Sequence, residues 1–207
     1  MTAQTLTEHP YIDPGEIKTK TCLGCHPDKA EGKFVHSAVS SGCASCHQVA
    51  SEKQKEKTTV TLMGQSSELC ALCHEGKKDA VLHAPYKSGQ CTVCHNPHSS
   101  DFPRQMRAAT NTLCMSCHGV NQPNVKFNAG TKSVTLPGGQ AFDLVAFERA
   151  PKIAAEHPAS SKPPSAGHPL TGKVPRGGDA VLSCVSCHDP HSSQAAKLLR
   201  SATESGK

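Results

Sequence analysis

The chain has 207 residues with no Trp, two Tyr and five Phe, against 15 Pro and 16 Gly, and 36% of it is apolar. So little large apolar material calls for staples or a bound group inside, as in small domains that cannot fill a core. The formal charge is +5, yet no basic cluster interleaves with aromatics, which argues against nucleic-acid binding.

Along the chain, MTAQTLTEHPYIDPGE lacks the apolar core of an export signal, as expected of a mature or recombinant form. No later stretch approaches the ~20 apolar residues of a membrane span. The cysteines then arrive in order as CLGCH (22–26), CASCH (43–47), CALCH (70–74), CTVCH (91–95), CMSCH (114–118) and CVSCH (184–188). The runs RQMRAA and AAKLLRSA after the fourth and sixth motifs have helical propensity and predict brief helices. Between the fifth and sixth, residues 119–167 hold no cysteine. There VKFNAGTKSVTLPGG predicts a hairpin, and HPASSKPPSAGHP an extended ordered loop.

All twelve cysteines thus fall in Cys-x-x-Cys pairs, each followed at once by histidine. A redox disulfide explains the pairs alone. The 17 residues between Cys25 and Cys43, or Cys73 and Cys91, also suit a zinc ribbon. Neither chemistry needs the histidine. Covalent haem c does: the sulfurs of Cys22, Cys25, Cys43, Cys46, Cys70, Cys73, Cys91, Cys94, Cys114, Cys117, Cys184 and Cys187 would add to haem vinyl groups. His26, His47, His74, His95, His118 and His188 would bind iron from one side. Six haem c groups are expected.

Two motifs run on into CHNPHSS (94–100) and CHDPHSS (187–193), with a second histidine three positions after the first. Three residue steps span at most about 10–11 Å, too short to round the macrocycle. His98 and His191, if they bind iron, therefore serve a neighbouring haem. His36, His83 and His168 precede the second motif of each motif pair and complete five candidate distal ligands. His9 is preferred to His157 for the sixth, because CHQVA (46–50) lacks the Pro-His extension. Methionine ligation is disfavoured: Met115 lies inside its own motif, and Met106 aligns with Leu199 as apolar filling.

First motifs match first motifs (TCLGCH, LCALCH, LCMSCH), and second match second (GCASCH, QCTVCH, SCVSCH). PHSSDFPRQMRAAT (97–110) also aligns without a gap to PHSSQAAKLLRSAT (190–203). The expected organisation is one hexahaem domain over 1–207, built of three dihaem repeats (22–47, 70–98, 114–191) with a haem-free insert at 119–167. Its fold is a haem-stapled array: closely packed haems as the core, mostly irregular backbone, short α-helices and little β.

At CTVCHNPHSS followed by LCMSCH, and at CVSCHDPHSS, the chain resembles the multihaem c-type cytochromes with doubled CXXCH motifs. The resemblance implies covalent haem c, bis-histidine iron, closely packed haems and electron transfer outside the cytoplasm. The expected function is therefore electron transfer in anaerobic or extracellular respiration, in the periplasm or outside the cell. Redox proteins or an external acceptor are the expected partners, and no enzymatic activity is expected. Propionates from six haems would bring the charge to about −7 when reduced and near zero when oxidised, so the lysines and arginines neutralise propionates. The last repeat has no CxxCH after it, which raises the alternative of a homopolymeric extracellular filament. A reductase with one open haem is the third reading; seven histidines outside the motifs for six irons weigh against it.

Overall fold

A computed structural model describes residues 7–153 and 182–200. The Pro/Ser-rich loop with His157 and His168 lies outside the described residues. In chain order, the first elements are β1 (Thr7–Pro10), α1 (Thr19–Cys25), β2 (Phe34–Val35), α2 (Ser37–Ser41), β3 (His47–Glu52), β4 (Lys57–Leu62) and α3 (Ser66–Ala71). Next come β5 (Val81–Leu82), α4 (Ala84–Lys87), β6 (Ser99–Ser100), α5 (Thr110–His118), β7 (Lys126–Asn128), β8 (Ser133–Thr135) and β9 (Ala141–Asp143). The described chain closes with α6 (Leu144–Glu148), α7 (Cys184–Cys187) and β10 (Ser192–Ser193). It divides into two compact units, residues 1–76 with 89–106, and residues 77–88 with 107–207.

The first unit carries an antiparallel sheet in the order β1-β4-β3. The β-branched run of KTTVTL makes β4 the natural centre. Glu56, at φ 51°, turns β3 back into β4. Thr58 on β4 is fully buried. Its Oγ1 accepts the Ile12 N–H at 2.9 Å and shares a hydrogen bond with Ser51 Oγ at 3.0 Å, tying both outer segments to the centre. This sheet stands where CHQVA departs from the Pro-His pattern. It gives the unit more β-structure than composition suggested.

Apolar packing is uneven. Among the described residues of the first unit, Val93 is the one buried hydrophobic side chain. The second unit buries Ala108, Leu113, Val125, Val134, Leu136, Phe142 and Phe147. Most of these belong to the insert, where β7, β8 and β9 form the predicted hairpin plus a third strand, with Phe127 opposite Val134. Asp143 Oδ1 caps α6 by accepting the Ala146 N–H at 2.8 Å.

The helices expected from RQMRAA and AAKLLRSA do not form. In their place stand tight turns at Pro103–Gln105 and Ala196–Leu198. Arg104, Gln105, Lys197 and Leu198 all take the left-handed region, with φ of 60°, 53°, 59° and 59°. That conformation costs roughly 1–2 kcal/mol per residue, more than the propensity difference that favoured helix. The turned carbonyls compensate by serving the histidines described next.

A unit with a single buried apolar side chain lacks the burial to offset its backbone entropy. Apoprotein produced without haem attachment is therefore expected to lose most of the far-UV circular dichroism contributed by residues 1–76 and 89–106. A cooperative thermal transition in apoprotein of that region would contradict this.

Candidate haem sites

The motif geometry follows from helical spacing. Positions i, i+3 and i+4 share one face, so both sulfurs and the imidazole of C-x-x-C-H point to one side. CMSCH lies wholly within α5. In four of the other five motifs the backbone closes the same turn: the N–H groups of His26, His74, His95 and His188 donate to the carbonyls of Cys22, Cys70, Cys91 and Cys184 at 2.9, 2.9, 3.0 and 3.0 Å, whereas His47 opens β3. None of the twelve cysteines is in a disulfide.

First cysteines meet in pairs. The thiols of Cys22 and Cys43, Cys70 and Cys91, and Cys114 and Cys184 are hydrogen-bonded. The Cys114 contact pulls the Cys184 pKa down to about 7, whereas burial pushes Cys22 and Cys70 up. α5 packs against α7, and Asn111 Oδ1 accepts the Cys184 N–H at 2.9 Å, so the 119–167 insertion leaves the third pair intact.

The histidines also pair, and they do so across repeats. His36 faces His74 with ring centres 5.9 Å apart, His47 faces His98 at 6.1 Å, and His83 faces His118 at 6.0 Å. His9 faces His26 at 5.6 Å, with 3.4 Å between their Nε2 atoms. Two metal–imidazole bonds of about 2 Å, plus about 1 Å from each nitrogen to its ring centre, put opposed ring centres about 6 Å apart. Among the described residues, no group of three or more His, Cys, Asp or Glu side chains converges on a metal position. Opposed imidazole pairs with flanking thiols are the donor set left for an iron whose other four ligands come from a macrocycle. The residues fit haem c.

A small repeated device aligns these rings. β2 pairs with β6, and the His36 N–H donates to the His98 carbonyl at 2.8 Å. The His36 Nδ1 lies 3.1 Å from the Pro97 carbonyl oxygen. In the second unit β5 pairs with β10, the His83 N–H donates to the His191 carbonyl at 3.0 Å, and the His83 ring bonds the Pro190 carbonyl. The Pro-His extension thus presents one carbonyl to an imidazole from the preceding repeat. An N–H donated to a carbonyl at Nδ1 fixes the tautomer and leaves Nε2 for metal. Burial lowers the pKa of His83 and His47, in the direction that favours the neutral ring that ligation requires.

Three motif histidines are clipped in the same manner. Nδ1 of His95, His188 and His118 lies 2.9, 2.8 and 2.9 Å from the carbonyl oxygens of Arg104, Lys197 and Pro151. Arg104 and Lys197 are each the first of the two left-handed residues in their turns. Pro151 lies within the insert just after α6, and this stretch is anchored by the Ile153 N–H on the His118 carbonyl at 2.6 Å. His191 sits beside the Tyr86 ring, 5.2 Å between centres. Of the remaining candidates, His168 and the discounted His157 are outside the described residues.

A family model described as doubled CXXCH motif matches residues 83–122 and 176–206, and one described as cytochrome c7 and related cytochrome c matches residues 30–96. The chain is a multihaem c-type cytochrome. No curated protein and no solved structure matches it. As a cytochrome of this kind it carries covalently bound haem c and works by electron transfer. No helix among its described residues is long and apolar enough to cross a membrane.

The orienting carbonyls carry no residue signature, and reading the sequence for ligands missed them. FVHS (34–37) and VLHA (81–84), two apolar residues before each histidine, are the signal that marks the aligning strands. Gly32 reports on their closeness: a Cβ there would stand 2.5 Å from the Ser100 backbone nitrogen. Gly32→Ala is expected to cost about 1–3 kcal/mol by forcing β2 off β6, and to lower the holoprotein Tm measurably. An unchanged melt would show that the β2–β6 contact does not hold His36.

Proposed function

We propose that this cytochrome is an electron relay of six haem c groups, with iron held on both sides by histidine. Haem iron supplies one-electron redox chemistry when bound. The protein's own residues attach, orient and saturate it, leaving no position for substrate. The four imidazole pairs at 5.6–6.1 Å are the observation that supports this reading. His26, His47, His74, His95, His118 and His188 are the motif-side ligands. His9, His36, His98 and His83 complete the irons of His26, His74, His47 and His118, and His168 and His191 remain candidates for the other two.

The contacts between first cysteines favour three dihaem repeats, 22–47, 70–98 and 114–191, in which the two haems meet at their thioether edges. Distal histidines reaching from one repeat to the next then join the pairs into a chain along which charge can hop. Redox proteins or an external acceptor would exchange electrons with it, in the periplasm or outside the cell, in anaerobic or extracellular respiration.

Film voltammetry of the purified holoprotein tests the relay against a reductase. The relay predicts waves that integrate to six electrons per chain and do not change when nitrite is added. A catalytic current would indicate an open iron and contradict the proposal.

A further inference from the structure

Five of the six motif histidines belong to a pair, or stand at a motif, in which a backbone carbonyl holds a ring nitrogen. Thr61 serves His47, and Pro97 serves His74 through its partner His36. Arg104, Pro151 and Lys197 serve His95, His118 and His188. The first site differs. Among the described residues, neither His9 nor His26 offers its ring to a carbonyl, and Nδ1 of His9 is buried with no hydrogen-bond partner at all. The ring planes differ too. They cross at 76° at His9–His26, against 19°, 8° and 29° at the other three pairs.

The cause lies in the local fold. The other described distal rings belong to the Pro-His device, whereas His9 sits on β1, an edge strand opposite Thr58 of β4. β1 pairs with β4 and not with the residues that follow a motif, as the strands before His36 and His83 do. The β3–β4 hairpin replaces the missing Pro-His extension, and with that extension goes the proline carbonyl. His9 arrives in a different orientation and without an acceptor.

Both differences have electronic consequences. An Nδ1–H donated to a carbonyl makes imidazole a stronger donor and favours ferric iron. A buried Nδ1–H with no acceptor gives no such push, so the ferrous state gains relative to the other sites. Crossed imidazole planes let the two ligands act on different iron d orbitals of π symmetry. Those orbitals become nearly degenerate, and the largest ferric g-value moves to lower field than parallel planes allow.

We propose that the haem at Cys22, Cys25 and His26 is the redox-distinct member of the array: the one with crossed axial rings and the most readily reduced of the six. This rests on the bis-histidine reading of the preceding section. An electron delivered to any other haem of the chain then settles on this one at equilibrium, that iron passing from ferric to ferrous as the donor iron is reoxidised.

Electron paramagnetic resonance of the holoprotein during a potentiometric titration with dithionite tests it. The expected result is one low-field, large-g low-spin signal of about one spin per chain beside a rhombic envelope, and it should be the first to vanish as the potential falls. His9→Ala should remove that signal and leave the envelope. Spectra with only the rhombic envelope, or a low-field signal that outlasts the envelope on reduction, would overturn the proposal while leaving bis-histidine ligation standing. High-spin iron in the unsubstituted protein would instead sink the relay reading itself. Because the titration needs no variant, poor assembly of His9→Ala does not blunt it.

Discussion

Opposed imidazoles about 6 Å apart are the constraint on which the rest of the structure depends. A chain with so few large apolar residues cannot hold such pairs in place through packing. In the first unit it aligns them with backbone hydrogen bonds and strand pairing, around an interior that side chains do not fill. Covalent haem and iron–imidazole bonds would close that space, much as structural metals order small domains. The polypeptide works as a frame for its cofactors.

The frame is built from one element used twice. A two-residue strand ending in histidine pairs with the two serines after a Pro-His extension, at 34–36 with 97–100 and at 81–83 with 190–193. Each use joins the strand before one motif to the residues that follow a later one. Where the extension is missing, a three-stranded sheet takes over and supplies His9. Where a long insertion intervenes, the insert folds on its own apolar core and returns Pro151 to the His118 ring.

Much of this was legible in the sequence because it resides in side-chain identity. C-x-x-C-H announces its chemistry, and the short tether from His95 to His98 keeps the second imidazole from opposing the first; its ring faces His47 instead. The hairpin at 126–135 followed from alternation and Gly-rich turns. What stayed hidden was carried by the main chain. Any residue has a carbonyl, so nothing in Arg104, Lys197 or Pro151 marks it as the partner of a ring nitrogen. The helical propensity of RQMRAA and AAKLLRSA was overridden for that reason: left-handed turns aim the carbonyls that a helix would have spent internally. The pattern marks His9 as the preferred sixth ligand but gives no sign of the β1-β4-β3 sheet whose edge strand carries it.

Anomalous scattering at the iron edge, from crystals of the oxidised holoprotein, bears most directly on these imidazole pairs. One iron peak is expected between the rings of each pair: His9 with His26, His36 with His74, His47 with His98, and His83 with His118. An empty pair among the four, or an iron bridging different partners, would contradict the proposed ligand pairing.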